Sequence, residues 1–269
     1  MSMLLCCGAE GLLCRRDCWQ ALSCPLPAPS LMCPGGDHWA ILDNSEHLLW
    51  MEDHLFSVDS GIERLLLWQG RPLLLSGDTD CLSLLEPAGG NPLFLAPAGV
   101  YPQDMCLLPG NAVAVCGGGS GTVLVFSLPE LRLMHTIPLP GSPQRIACLG
   151  KWLYVLCATE DDGLRTLLCR ADPHARRYEP LATLPGLPGA LYIDPRGLWV
   201  AVSETLYRFT PGERTPAFRL DRLGLVRHIT GQQGTLLLSD QLLGTLFLLQ
   251  PGRPLRPLKE GDVGQAAFL

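Results

Sequence analysis

Short runs of apolar residues recur along the chain, and each run ends in a small residue followed by a polar turn. The runs are LLCC, AILD, LLLS, VAVC, YVLC, VAVS and LLLS, at residues 4–7, 40–43, 73–76, 113–116, 154–157, 200–203 and 236–239. Apolar runs of this length, bounded by turn residues, are typical of buried β-strands. Their spacing predicts seven units of about 40 residues.

A second apolar strand is predicted after each of these runs, beyond a short polar turn. Each of these strands ends near Asp or Pro, which terminate strands through local hydrogen bonds or through the missing N–H group. The segments LLCRRD (12–17) and LLCRAD (167–172) agree at five of six positions. They occupy equivalent places in units that lie four repeats apart, so the repeat extends over most of the chain.

Seven units of this kind predict an all-β fold, a seven-bladed β-propeller. Glycine and proline are frequent, with 29 and 24 residues, and such punctuation suits strands and turns rather than helices. The segment VGQAAFL (263–269) has the pattern of an inner strand that the first unit lacks. We therefore expect the C-terminal strand to join the N-terminal blade and close the ring, which removes exposed sheet edges. An elongated solenoid is the structural alternative.

The predicted organisation is a single domain over residues 1–269. The closing blade is shared between residues 1–28 and 260–269. The other six blades are predicted at 29–60, 61–98, 99–140, 141–186, 187–221 and 222–259. The apolar tract LLLWQGRPLLL (65–75) matches the strand pattern, so we expect it in the core rather than in an interface with another subunit.

The amino-acid composition and the net charge argue against several classes of function. The net charge is −6 and 17% of the residues are charged, which argues against a nucleic-acid-binding protein. There is no apolar stretch of membrane-spanning length and no signal-peptide pattern, so we expect a cytoplasmic protein without membrane contact. The 12 cysteines show no CxxC pair and the six histidines no ligand spacing. We expect reduced thiols, no metal and no cofactor.

The segment GSPQRIACLGKWLYVLCATED (141–161) resembles the YVTN-type repeat of β-propellers. In that repeat a Gly-x-Pro start precedes the inner strand, and a glycine turn precedes Tyr-Val-x-small. Gly141, Pro143, Gly150, Tyr154 and Val155 fill these places. The resemblance implies a propeller. It also implies a function within a family that contains sugar-lactone hydrolases as well as non-enzymatic sensors and scaffolds.

The turns between the second and third strands of all blades should emerge on one face of the disc. They carry acidic residues and no Lys or Arg, whereas arginines collect in the opposite turns. We predict an acidic face that would attract a cationic partner, although Asp and Gly also suit tight turns for conformational reasons alone. Its members are Glu10, Glu46, Asp78, Asp80, Glu160, Asp161, Asp162, Glu204 and Asp240.

Residues just before each inner strand should surround the mouth of the central funnel. Opposed Asp104 and Arg145 could orient a small polar ligand through charge-assisted hydrogen bonds, or could pair with each other or with water. The predicted mouth consists of Arg64, Gln103, Asp104, Gln144, Arg145, Arg227 and Gln265.

The sequence favours a non-catalytic binding or interaction module whose partner is a protein or a small polar ligand. The alternative is a lactonase-like hydrolase that uses the funnel. Lactonase-like propellers place Asn, Asp, Glu or His in the funnel, and no carboxylate–Asn set recurs on the predicted inner strands here. The serines that end three of the apolar runs lack a G-x-S-x-G context, so we predict that they pack rather than react.

Overall fold

The computed structural model describes residues 4–15, 18–35, 38–52, 54–87, 89–160, 163–261 and 263–268. Within them the fold is all-β. Strands β1 (Leu4–Gly8), β2 (Gly11–Arg15) and β3 (Trp19–Ala21) open the chain. Blade 1 follows with β4 (Leu31–Gly35), β5 (His38–Asp43), β6 (Leu48–Met51) and β7 (His54–Ser57). Blade 2 contains β8 (Ile62–Trp68), β9 (Arg71–Ser76), β10 (Cys81–Leu85) and β11 (Pro92–Pro97).

The next four blades repeat this arrangement. Blade 3 contains β12 (Pro102–Leu108), β13 (Ala112–Gly117), β14 (Thr122–Ser127) and β15 (Leu133–Pro138). Blade 4 contains β16 (Ser142–Leu149), β17 (Trp152–Thr159), β18 (Arg165–Asp172) and β19 (Arg177–Pro185). Blade 5 contains β20 (Pro188–Asp194), β21 (Gly197–Val202), β22 (Thr205–Phe209) and β23 (Phe218–Leu220). Blade 6 contains β24 (Val226–Gln232), β25 (Thr235–Asp240), β26 (Thr245–Leu249) and β27 (Arg256–Glu260).

The last strand, β28 (Gln265–Phe268), belongs to the same sheet as the first three strands. Blade 7 has the order β28-β1-β2-β3, so the C-terminal strand is its inner strand. Leu5 pairs with Ala267 and Cys7 pairs with Gln265, both in antiparallel register. This confirms the propeller with seven four-stranded blades and the predicted closure of the ring by the C-terminal strand.

The second strand of each blade is the best buried, because it lies centrally in its sheet and packs against neighbouring blades on both faces. All six residues of β13 are buried, whereas outer strand β15 is largely exposed. Burial on both faces explains why these strands read as continuous apolar runs rather than as alternating ones. The tract 65–75 contributes Leu65, Trp68 and Leu73–Leu75 to the core, as expected.

Each apolar core lies between two adjacent blades. The core between blades 3 and 4 contains three buried cysteines, Cys116, Cys157 and Cys169, together with Val and Leu side chains. Burial raises the pKa of the Cys116 thiol, and contact with the Cys169 thiol together with burial raises the pKa of Cys157. These cysteines therefore pack as small apolar residues, as the sequence predicted.

The turns preserve the repeat geometry. Gly141 has a φ of +78°, and a Cβ atom there would clash with the carbonyl oxygen of Ala158. Only glycine is compatible with the loop that leads into the inner strand of blade 4.

Within the described part of the chain, no helix is long and apolar enough to cross a lipid bilayer.

Candidate functional site

The centre of the ring contains a cavity of about 570 Å³, which we call the funnel. It opens on the face that carries the turns between second and third strands and the loops into the inner strands. We call this face the funnel face. The charged and histidine side chains that line the funnel are Glu63, Arg64, Asp104, Arg145, Arg227 and His228.

A β-bulge occurs at the same place in five inner strands. The register with the second strand shifts between Ile62 and Arg64, and equivalent shifts occur in β12, β16, β20 and β24. A bulge inserts one unpaired residue and redirects its side chain. The inserted residues are Glu63, Gln103, Gln144, Gly189 and Arg227.

The residues that follow the bulges form a second level of the funnel: Arg64, Asp104, Arg145, Ala190 and His228. Five of the seven residues predicted for the funnel mouth line the cavity, and Gln144 and Gln265 do not. All seven lie within the inner strands rather than just before them, because the strands begin earlier than expected. Sequence reasoning missed Glu63 and His228. Glu63 is equivalent to Arg227, since both are inserted at bulges, and His228 is equivalent to Asp104, since both follow bulges. Alignment of the inner strands at their bulges therefore identifies Glu63 and His228 as funnel residues.

Asp104 is buried and uses both carboxylate oxygens. Its Oδ1 accepts a hydrogen bond from the backbone N–H of Met105, and its Oδ2 accepts one from Ile146 N–H at 3.0 Å. Arg64 Nε lies 2.9 Å from Oδ1. This contact is an ion pair without hydrogen-bond alignment, since Nε has no hydrogen-bond partner among the described residues. Asp104 thus fastens blade 3 to blade 4 and holds Arg64.

Arg145 extends from blade 4 toward blade 5. Its Nε donates to the carbonyl of Gly189 at 2.7 Å, and its Nη1 donates to the carbonyl of Gln144 at 2.7 Å. Burial lowers the pKa of Arg145, an effect that Asp104 opposes and that Arg227 and Arg64 reinforce. The hydrogen bonds of Arg145 thus go to backbone carbonyls, and the guanidinium lines the funnel beside Asp104 without bonding to it.

Arg227 is half-buried and has no ion pair in the described ranges. Glu63 is also without a hydrogen bond or ion pair there, although Arg145 and Arg227 lie close enough to lower the pKa of its carboxylate. Desolvation by the neighbouring groups is the larger influence and raises the pKa of Glu63 overall, although the side chain is exposed at the funnel rim. The funnel therefore presents an unpaired guanidinium and an unpaired carboxylate.

His228 is neutral at physiological pH. Burial and the three arginines Arg64, Arg145 and Arg227 lower its pKa to about 3. A neutral imidazole offers one N–H donor and one nitrogen acceptor to the cavity. With His228 uncharged, the lining carries three positive and two negative side chains, and one of the negative ones, Asp104, is already paired.

The predicted acidic residues have different environments in the structure. Glu46, Asp78, Glu160 and Glu204 are exposed on the funnel face. Glu10 is exposed too and pairs with Lys259 at 2.9 Å. Asp161 and Asp162 lie outside the described residues.

Two further members of the predicted acidic face accept hydrogen bonds from the backbone of loops. Asp240 is buried, and its carboxylate accepts hydrogen bonds from the backbone N–H groups of Gly224, Leu225 and Leu243. Asp80 accepts one from Tyr101 N–H at 2.8 Å. Asp240 thus holds the turn after β25 against the loop that leads into β24, and its buried carboxylate does not face solvent. In the ranges that the structure covers, no three His, Cys, Asp or Glu side chains converge as metal ligands.

Comparison with solved structures agrees with the fold. A candidate 6-phosphogluconolactonase from Bacteroides uniformis superposes with a TM-score of 0.73 at 13% sequence identity, covering 100% of this chain and 99% of that chain. A protein from Lactobacillus plantarum gives a TM-score of 0.75 at 12% identity over 100% of both chains. A functionally unknown protein from Desulfotomaculum acetoxidans gives 0.76 at 10% identity, covering 100% and 99%.

These likenesses show a shared fold and no more. No protein-family model matches the chain, and no curated protein matches it. The YVTN-type repeat therefore remains a resemblance carried by residues 141–161, whereas the seven-bladed propeller itself is supported by the structure.

Proposed function

We propose that the chain is a non-catalytic binding module whose funnel receives an anionic group of its ligand. The observation that carries this proposal is Arg227, which a bulge directs into the cavity beside Arg64 and Arg145 without an ion pair in the described ranges. Guanidinium groups bind carboxylate and phosphate through charge-assisted hydrogen bonds. Arg227 is half-buried, and partial removal from water strengthens such contacts.

The proposal is tested by titrating inorganic phosphate and acetate into the protein, followed by NMR shifts or calorimetry at low salt. Arg227→Gln should weaken anion binding about tenfold or more, since it removes a charged hydrogen-bond donor. Arg165→Gln, at an exposed arginine of β18, is the matched control and should bind as the wild type does. Equal weakening in both variants, or no saturable binding of either anion, contradicts the proposal.

Hydrolysis of a lactone is the second candidate, and Glu63 is the observation that favours it. A carboxylate with a raised pKa in a cavity can serve as a general base, and the arginines could stabilise the oxyanion formed when water adds to the ester carbonyl. His228, with a pKa of about 3, is too weak a base at neutral pH.

A pH-stat assay with δ-gluconolactone separates the two candidates, because opening of the ring C–O bond by water releases a carboxylic acid. The binding module predicts the same rate with the wild type, with Glu63→Gln and with buffer. An acceleration by the wild type that Glu63→Gln abolishes would establish the enzyme instead.

A cationic protein partner at the funnel face is a further proposal. It is supported by the exposed Glu46, Asp78, Glu160 and Glu204. Exposed apolar side chains accompany them on the same face, among them Tyr101 and Leu242, with 66% and 72% of their surfaces accessible. Apolar and acidic groups together suit a protein segment rather than a small ion.

A further inference from the structure

Glu63 and Arg227 occupy equivalent bulge positions in blades 2 and 6. Both side chains face the funnel, yet no ion pair joins them in the part of the chain that the structure describes. Glu63 rests against its own blade: a Cβ atom at Gly77 would lie 3.2 Å from Glu63 Oε1. The two charges are therefore held on different sides of one cavity.

The backbone fixes this separation. Each charge is attached to a bulge in an inner strand, and both strands are tied to a neighbouring blade. Arg64 of β8 pairs with Asp104, and the Tyr192 hydroxyl donates a 3.0 Å hydrogen bond to the carbonyl of Gly231 on β24. The side chains of Glu63 and Arg227 can reorient within the cavity, but the strands that carry them cannot approach each other. Arg227 is half-buried and Glu63 is exposed at the funnel rim, and neither has an ion-pair partner among the described residues. Each charge therefore remains available to a ligand that enters the cavity.

Neutral, dianionic and zwitterionic ligands would interact differently with the charged side chains of this cavity. A neutral molecule leaves both charges without a counter-charge. A dianion satisfies the arginines but places a second negative charge near Glu63, where like charges repel. A molecule with an anionic group and a cationic group satisfies Arg227 and Glu63 together, so it gains from both sides of the funnel.

We propose that the funnel selects zwitterionic ligands, in which an anionic group contacts Arg227 and Arg145 and an ammonium or guanidinium group contacts Glu63. This proposal rests on the proposed function, because the anionic half of the ligand uses the same arginines. It adds the cationic half and assigns Glu63 as the residue that recognises it.

The test uses a matched series of probes: ω-amino acids of three to six carbons, the unsubstituted carboxylates of equal length, and the dicarboxylates. Binding is measured at pH 7 by NMR titration of the wild type, of Glu63→Gln and of Glu130→Gln, the last removing an exposed carboxylate on the opposite face, in the turn between β14 and β15. At least one ω-amino acid should bind the wild type about threefold more tightly than its matched carboxylate, as an ion pair with an exposed carboxylate allows. Glu63→Gln should abolish that preference, and Glu130→Gln should keep it.

The outcomes separate this proposal from the proposed function. If the plain carboxylates bind as tightly as every ω-amino acid and Arg227→Gln weakens all of them, the funnel is an anion site and the zwitterion proposal is wrong. The zwitterion proposal is also wrong if the preference for an ω-amino acid survives in Glu63→Gln. If no member of the series binds and phosphate does not bind either, the proposed function fails with it.

Discussion

The carboxylate of Asp104 on β12 accepts a 3.0 Å hydrogen bond from the backbone N–H of Ile146 on β16, so a side chain of one blade secures the inner strand of the next. The other carboxylate oxygen contacts Arg64 of the preceding blade at 2.9 Å. A buried charge with partners in three blades links the ring around the funnel. The residue is therefore part of the scaffold as well as of the cavity wall.

Replacing Asp104 with Ala should destabilise the fold. The change leaves Ile146 N–H without its acceptor and Arg64 without its ion-pair partner, and we expect the free energy of unfolding to fall by about 2–4 kcal/mol. Urea unfolding followed by circular dichroism measures the change. Gln144→Ala, at a half-buried position on the neighbouring inner strand, should lose less than about 1 kcal/mol. Equal losses in the two variants would show that Asp104 does not link the blades.

The closure of the ring depends on Gln265. Its Oε1 accepts a 2.9 Å hydrogen bond from Met32 N–H on the inner strand of blade 1, so the side chain fastens the last strand of the chain to the first complete blade. Gln265→Ala should lower the free energy of unfolding by about 1–3 kcal/mol because a partly buried N–H loses its acceptor. Gln20→Ala, on exposed outer strand β3, is the control. If the stability of Gln265→Ala equals that of the wild type, the Gln265 side chain does not stabilise the closure of the ring.

The stability of the protein should respond to the protonation of Glu63. Desolvation by neighbouring groups raises the pKa of this exposed carboxyl in the folded state, so the folded protein binds a proton more readily than the unfolded chain. Ionised Glu63 therefore destabilises the fold at neutral pH, and this penalty disappears as the pH falls through its raised pKa. Glu63→Gln should be more stable than the wild type at pH 7, and the difference should shrink toward pH 4. A difference in the free energy of unfolding that is constant from pH 7 to pH 4 contradicts this expectation.

The exposed acidic residues of the funnel face should bind basic peptides in a salt-dependent way. We expect a capped tetralysine peptide to bind at low ionic strength and to lose affinity as salt is added, because exposed charges are screened. Glu46→Lys should weaken binding about twofold to fivefold at low salt. Glu130→Lys makes the same charge change on the opposite face, in the turn between β14 and β15, and is the control. Salt-independent binding, or equal effects of the two variants, would exclude the acidic face as the binding surface.

Much of the fold could be predicted because the second strand of each blade is buried on both faces. That burial produces the repeated apolar runs such as VAVC at 113–116, and their spacing gives the number of blades. The inner-strand pattern of residues 263–269 could be recognised in the same way, and the pairing of Leu5 with Ala267 confirms it. Exposed outer strands such as β3 have only three residues and leave little signal in the sequence.

The position of the site could be predicted from the sequence, but the ion-pair and hydrogen-bond partners of its residues could not. The Pro-Gln pairs at 102–103 and 143–144 mark the bulges, so the start of the inner strands was a sound guide to the cavity wall. Which charge pairs with which depends on how seven strands converge, and no local pattern encodes that. Asp104 contacts Arg64 and Ile146 rather than Arg145 for this reason. His228 was missed because a lone histidine in a strand carries no signal until the blades are aligned.

The most direct test of the anion site is a crystal structure of the protein grown with sodium selenate, with anomalous data collected at the selenium edge. We predict an anomalous peak in the funnel within hydrogen-bond distance of Arg227 and of Arg64 or Arg145. We also predict that the peak is lost in crystals of Arg227→Gln grown in the same solution. A selenate peak found only outside the funnel, or one that remains in Arg227→Gln, would contradict the proposed anion site.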